Sequence, residues 1–321
     1  MRELILTRAN HQIDPVLHVW GWEIPVYLFL GGWVAGMMIL SGFFVLQGRH
    51  RERRCSCVLT PWLGLALLSL GMFALFLDLE HRRYTWRLYT TFQAASPMSW
   101  GAWILVLVYP ALAASILVQP PEWLTERFQV ADRMSAWVAA REGVVRLVGV
   151  ANVALGIALG IYTGILLSAL GARPLWSSAM LGPLFLLSGL SSAAAFVHLV
   201  ARSEPERVLL ARADNLFLSA ELVAILLFLI GLASSTAVHE AAAALLLGGP
   251  YTAAFWVGVV GLGIVVPLVV QSLAVRRRIH HTPVAPLLVI AGGLALRFVI
   301  VYAGQESRWT AVLSGLLARL A

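Results

Sequence analysis

Eight runs of nearly unbroken apolar residues limit what this chain can fold into: about 25–46, 58–77, 98–118, 146–167, 180–200, 216–233, 254–274 and 284–303. Runs of roughly 18 to 24 residues are long enough to cross the hydrocarbon of a bilayer as helices. Barrel strands are excluded, because they are shorter and alternate apolar with polar side chains. Composition agrees: 60% of residues are apolar and 12% charged, and mean hydropathy is +0.83, outside the range of soluble domains. The expected fold is all-α, a polytopic bundle of about eight transmembrane helices in a single integral membrane domain covering residues 1–321. Arg2 and Arg8 precede a long polar stretch, and no small-residue cleavage site follows the first run. The first span is therefore expected to be retained rather than removed as a signal.

Orientation follows from arginine, since the chain has no lysine. With the N-terminus outside, the inner loops hold 14 arginines (Arg49, Arg51, Arg53, Arg54, Arg127, Arg133, Arg141, Arg146, Arg202, Arg207, Arg212, Arg276, Arg277 and Arg278) and the outer segments 8. The positive-inside bias then places both termini outside, although "EHRRYTWR" (80–87) pulls the other way. This bias and anionic lipid account for the net charge of +7, so no nucleic-acid partner is implied.

The redox-active residue types are sparse. Cys55 and Cys57 form one C-x-C, too few thiols for an iron–sulfur cluster or a closed zinc site. Of the eight histidines only His198 touches the interior of a span, so the paired ligands of a b-type haem are missing. No haem or iron–sulfur cluster is expected in this chain. The glycines of "GGWVAG" (31–36) and "GIALGIYTG" (156–164) read as close helix packing. Residues 122–142 alternate Trp123, Leu124, Phe128, Met134, Trp137 and Val138 with charge, as an interfacial helix on the inner surface would. "HEAAAALLLGGPYT" (239–252) is too short to span and reads as a re-entrant or surface segment on the outer side.

Placed in depth, the polar residues form two sets. Antiparallel spans bring Glu23, Asp78, Ser99 and Trp100 of "SPMSWG", Tyr162, Thr163, Ser168 and, in the outer half of span eight, Arg297 toward the outer face. The inner half holds His198, Glu221 and Gln271. A single carboxylate at a helix end is ordinarily a cap or an interfacial charge; the convergence of several groups singles out the outer set, and an intramembrane glutamate is a functional candidate in its own right.

"WEIPVYLFLGG", "GIYTGILLSALGARPLW" (160–176), "LGPLFLLSGLSSAAA" (181–195), "FWVGVVGLGIVVPLVV" (255–270) and "LALRFVIVYAGQ" (294–305) resemble, in order and over nearly the whole chain, the NrfD family of membrane subunits. That family includes the polysulfide reductase membrane subunit. The resemblance implies a multi-pass subunit of the bacterial inner membrane that exchanges electrons between a quinone (menaquinone or ubiquinone) and a ferredoxin-like iron–sulfur subunit. A molybdopterin or other catalytic subunit often completes the complex. It also implies a quinone site near the outer ends of the first four spans. Glu23 and Asp78 would then be the proton-handling groups, and Ser99, Tyr162, His81, Trp100 and Arg297 the quinone-binding ones. "LEHRRYTW" departs from the proline-containing step associated with the end of span two.

The residues suit that chemistry on their own terms. Quinone reduction moves two electrons and two protons, so it needs hydrogen-bond donors to ring oxygens and an acid or base with a path to water. His198 and Glu221 would supply a proton path from the inner side. Two other readings stand beside this one: a structural anchor for a redox complex with no quinone chemistry of its own, and a secondary transporter. The transporter is disfavoured because the charges lie near span ends and no repeat is evident.

The topology is directly testable. Reporter fusions after Arg54 and after Trp176 are expected to report inside and outside respectively; the opposite pattern would invert every depth assignment above.

Overall fold

A computed structural model describes residues 20–49, 58–79, 81–169, 173–201, 203–276 and 282–309. The arginine-rich segment with Cys55 and Cys57 and both chain ends lie outside the described residues. Eight helices are long and apolar enough to cross a membrane: α1 (Glu23–Leu46), α2 (Leu59–Asp78), α4 (Pro97–Val118), α7 (Glu142–Ser168), α8 (Leu181–Val200), α9 (Glu204–Ala233), α11 (Ala254–Val275) and α12 (Val284–Glu306). Shorter helices α3 (Arg87–Thr90), α5 (Glu122–Arg127), α6 (Gln129–Ala139) and α10 (Ala237–Leu247) join them, and no strand occurs among the described residues.

The spans form two groups of four. α1, α2, α4 and α7 pack together, as do α8, α9, α11 and α12, and α1 and α7 join the groups by packing on α8. α1 is the axis: it is 83% buried along its apolar window, against 33% for α2, and touches α2, α7, α8 and α12. In lipid, such association depends on backbones coming close enough for dispersion contact. Glycine provides this. A Cβ on Gly36 would meet the Gly189 carbonyl of α8, one on Gly189 would meet the Gly32 carbonyl, and one on Gly156 of α7 would stand 2.8 Å from the Ala35 carbonyl.

The entrance to α1 is tied to the end of α12. Trp20 N–H donates to Gln305 Oε1 and Gln305 Nε2 donates to the Trp20 carbonyl, both at 3.0 Å. Trp20 stacks on Trp176, ring centres 5.0 Å apart, and Trp176 Nε1 donates to the Ile300 carbonyl. Arg173, one of the eight arginines of the expected outer segments, is fully buried here and donates to the Ser307 carbonyl at 3.2 Å.

Three boundaries differ from the sequence reading. Span six begins at Glu204 rather than 216, because Glu204 and Glu206 suit a helix N-terminus and Pro205 fits its first turn. Glu206 and Asp214 lie within this extension and are buried by packing. Span four begins at Glu142 rather than 146, again with an acidic residue in the first turn. The expected interfacial helix over 122–142 is two helices broken at Phe128, whose backbone is extended (φ −127°, ψ 101°). The 239–252 segment contains most of α10, a helix of 11 residues. The first half of α11, Ala254–Val265, is a π-helix, which periodicity did not announce.

Gly189→Val is expected to destabilise the detergent-solubilised chain by about 1–3 kcal/mol or more, as overpacking does. Gly231→Ala on α9, where a Cβ meets nothing, should leave thermal unfolding unchanged or slightly raise its midpoint.

Candidate functional site

Glu23 opens α1, where a carboxylate suits the helix N-terminus, and is half-buried. Four residues on, and so on the same face, Tyr27 is 3% exposed. α2 runs antiparallel and ends at Asp78, also half-buried. The two carboxyl groups are within electrostatic reach of each other. Two carboxylates so placed repel unless a proton or cation stands between them.

The end of α2 is closed by Arg82, whose guanidinium donates to the carbonyls of Leu77 (2.6 Å) and Leu79 (3.3 Å), satisfying helix-end acceptors that would otherwise be left open. Beside it an open cleft of about 690 Å³ is lined by Leu77, Asp78, Leu79, His81, Arg82, Arg83 and Tyr84. His81, exposed, therefore shares a cleft with Asp78.

α4 and α7 contribute the next wall. Tyr162 of α7 is 5% exposed, and its phenol ring and hydroxyl occupy the space that a Cβ on Gly101 of α4 would fill. Tyr27, Tyr162 and Tyr89 of α3 lie within electrostatic reach of one another. Burial, and next the Tyr109 phenol, push the Tyr89 hydroxyl above its ordinary 10.0. Tyr89 thus stays a neutral donor at physiological pH. None of these three hydroxyls has a hydrogen-bond partner among the described residues, and none is a fully buried atom, so each keeps some accessible surface.

Ser99 and Trp100 are occupied differently from the sequence reading. Ser99 Oγ accepts from the Gln93 N–H at 3.0 Å and donates to the Thr91 carbonyl at 3.4 Å. Trp100 Nε1 donates to the Ala94 carbonyl at 2.8 Å. Both side chains hold the loop that precedes α4.

A second polar group lies inside the other four-helix set. Arg297 of α12 is fully buried. Its guanidinium donates to the carbonyls of Phe185 (2.8 Å) and Gly293 (3.3 Å) and stands 4.5 Å over the Phe185 ring. Its charge partner is Glu221 of α9, which accepts from Ser191 Oγ at 3.1 Å. The contacts of Arg297 thus run to Glu221, α8 and Gly32 of α1, and the structure groups it with Glu221 rather than with Glu23 and Asp78. Two turns back along α9 the fully buried Asp214 interacts with Glu221 and accepts from Gln271 Nε2 at 2.7 Å. His198 is buried at the far end of α8 and lines a small cavity of about 130 Å³ with Arg207, Thr282 and Pro286.

Tyr27, Tyr89 and Asp214 were not singled out from the sequence. Tyr27 stands four residues from Glu23, and Asp214 seven from Glu221, both same-face spacings. Tyr89 carries no such signal.

Residues 9–307 match the sequence profile of the family described as polysulphide reductase, NrfD. The chain is 32% identical to protein NrfD of Escherichia coli over 309 residues, covering 89% of this chain and 95% of that one. It is 30% identical to a polysulfide reductase chain of Wolinella succinogenes, covering 89% and 94%. With a selenate reductase subunit of Mesobacillus selenatarsenatis it shares 23% identity over 88% of this chain and 73% of that one. By this match over nearly its whole length, the chain belongs to the NrfD polysulphide reductase family of membrane proteins.

Proposed function

We propose that this chain is the quinone-reactive membrane subunit of a bacterial inner-membrane redox complex, with the quinone site at the Glu23 end of α1, α2, α4 and α7. That end faces outward in the proposed topology. The observation that carries the reading is the meeting of two interacting carboxyl groups with largely buried phenol rings whose hydroxyls stay accessible and have no partner among the described residues. Their rings are packed while the hydroxyls stay accessible and unpaired within the chain, so they are free to donate to a ligand with oxygen acceptors. A phenol donates to a quinone carbonyl and accepts from a quinol hydroxyl, and so serves both oxidation states without rearrangement. Named relatives belong to polysulfide and selenate reductases, which fits a chain that handles electrons for a catalytic partner.

In this reading Tyr162 and Tyr27 hold ring oxygens. Glu23 and Asp78 deliver or collect the two protons that accompany the two electrons, and the cleft at Asp78 and His81 opens them to water. The electrons pass to or from a ferredoxin-like iron–sulfur subunit docked at the same end, and a molybdopterin-type catalytic subunit completes the complex. The buried group from Arg297 through Glu221 and Asp214 toward His198 supplies a proton path from the opposite face.

Asp78→Asn and Glu23→Gln keep size and polarity but remove the titratable proton. In the assembled complex each is expected to lower quinone-linked turnover by about 10²-fold or more. Normal turnover with both changes present would favour the structural-anchor reading instead. For the inner path the informative change is Asp214→Asn, because Glu221→Gln would strip buried Arg297 of its counter-charge and destabilise the fold. In proteoliposomes, Asp214→Asn is expected to cut turnover-linked proton movement by about tenfold or more without altering the apparent affinity for quinol.

A further inference from the structure

The segment between α2 and α4 is fastened at both ends. Arg82 binds it to the last carbonyls of α2. Ser99 and Trp100, in the first turn of α4, bind its Thr91, Gln93 and Ala94 backbone. Phe92 adds an edge-to-face contact with Trp103, ring centres 5.9 Å apart. Between these anchors the aromatic side chains of Tyr84 (53%), Trp86 (59%) and Phe92 (59%) are exposed. Tyr89 is the exception: it is half-buried, turned from α3 toward the bundle, where Tyr27, Tyr109 and Tyr162 stand on three different spans.

A side chain that reaches inward from an otherwise outward-facing loop, and whose hydroxyl finds no partner among the described residues yet is not a buried atom, presents a free donor to the space between the spans. Tyr27 and Tyr162, 3% and 5% exposed, share that condition beside it. Three such donors sharing one locus are satisfied together by one ligand carrying oxygen acceptors.

We propose that Tyr89 is a quinone-binding residue, the third phenol of the site and the one supplied by a loop. Ser99 and Trp100 are its positioning residues. This rests on the quinone reading above and adds to it the group that closes the site from the loop side. It also gives "SPMSWG" a different role from direct contact: the serine and tryptophan fix the loop backbone, and the glycine makes room for Tyr162.

The test is binding of a decyl-tailed naphthoquinone and a decyl-tailed benzoquinone to the purified full chain, followed by quenching of tryptophan fluorescence. Proper folding is checked for every variant by thermal unfolding. Tyr89→Phe keeps the ring and removes only the hydroxyl; it is expected to weaken binding about three- to tenfold, the range for one lost hydrogen bond, as is Tyr162→Phe. Ser99→Ala frees the loop and is expected to weaken binding comparably. In the Ser99→Ala background Tyr89→Phe should add little, because the two changes remove the same contact. Wild-type affinity in Tyr89→Phe with weakened binding in Tyr162→Phe would overturn this proposal and leave the quinone site standing. Wild-type affinity in both would overturn the site itself. Full additivity of Ser99→Ala with Tyr89→Phe would overturn the positioning role of Ser99.

Discussion

The contact on which the rest of this structure depends is the crossing of α1 and α8 through Gly32, Gly36 and Gly189. Helices in contact through ordinary side chains stand about 8–10 Å apart, and lipid offers no hydrophobic gain for bringing them together. Removing Cβ atoms on both sides lets one backbone lie against the other, and the same device brings α7 onto α1 at Gly156. α1 thereby becomes the inner axis, although its termini carry polar residues. One end presents Glu23 and Tyr27 to α2 and α7. Its middle offers Gly32, where a Cβ would stand 3.1 Å from the Arg297 guanidinium. The Glu23 group and the Arg297 group thus both abut one tightly packed helix.

Arg297 shows what that packing must accommodate. A guanidinium in hydrocarbon is costly unless its donors and its charge are both met. Two backbone carbonyls, the face of Phe185 and Glu221 meet them here. The Phe185 carbonyl is available because it lies on α8 opposite Gly32, where no side chain intervenes. The arginine and the glycine seam are one arrangement: bulk at position 32 would press on the guanidinium as well as part the helices.

The class of fold was legible in the runs of apolar residues, and so was the bringing together of Glu23 and Asp78, since antiparallel spans leave the end of one beside the start of the next. Asp214 was lost for a specific reason. Hydropathy cut span six at residue 216, although the helix continues to Glu204 with Glu206 and Asp214 buried by neighbouring spans. Arg297 was assigned the wrong neighbours, because depth along a helix says nothing of which face a residue occupies. Ser99 was read as a ligand donor when its hydroxyl serves the backbone of its own loop, a choice between local and distant partners that composition cannot make. The π-helix of α11 places Gly263 against Gly292 of α12, and its altered register follows from that tertiary fit rather than from local preference.

The two polar groups also differ in what packing alone would require. A well-packed set of apolar side chains commonly replaces a buried ion pair without loss of stability, so Arg297 and Glu221 are not explained by holding α8, α9 and α12 together. Under the proposed function the carboxyl and phenol groups at the Glu23 end suffice for quinone chemistry by themselves, with the open cleft beside Asp78 as their route to water. Glu221 lies just over three turns from the end of α9 at Ala233, about 18 Å along a helix, too deep to exchange protons directly with water at that face. Asp214 and the His198 cavity extend the same line toward the other face. Under the proposed function, a buried set that neither packing nor the local chemistry demands would serve traffic through the bundle. That traffic would be the proton that must accompany each electron.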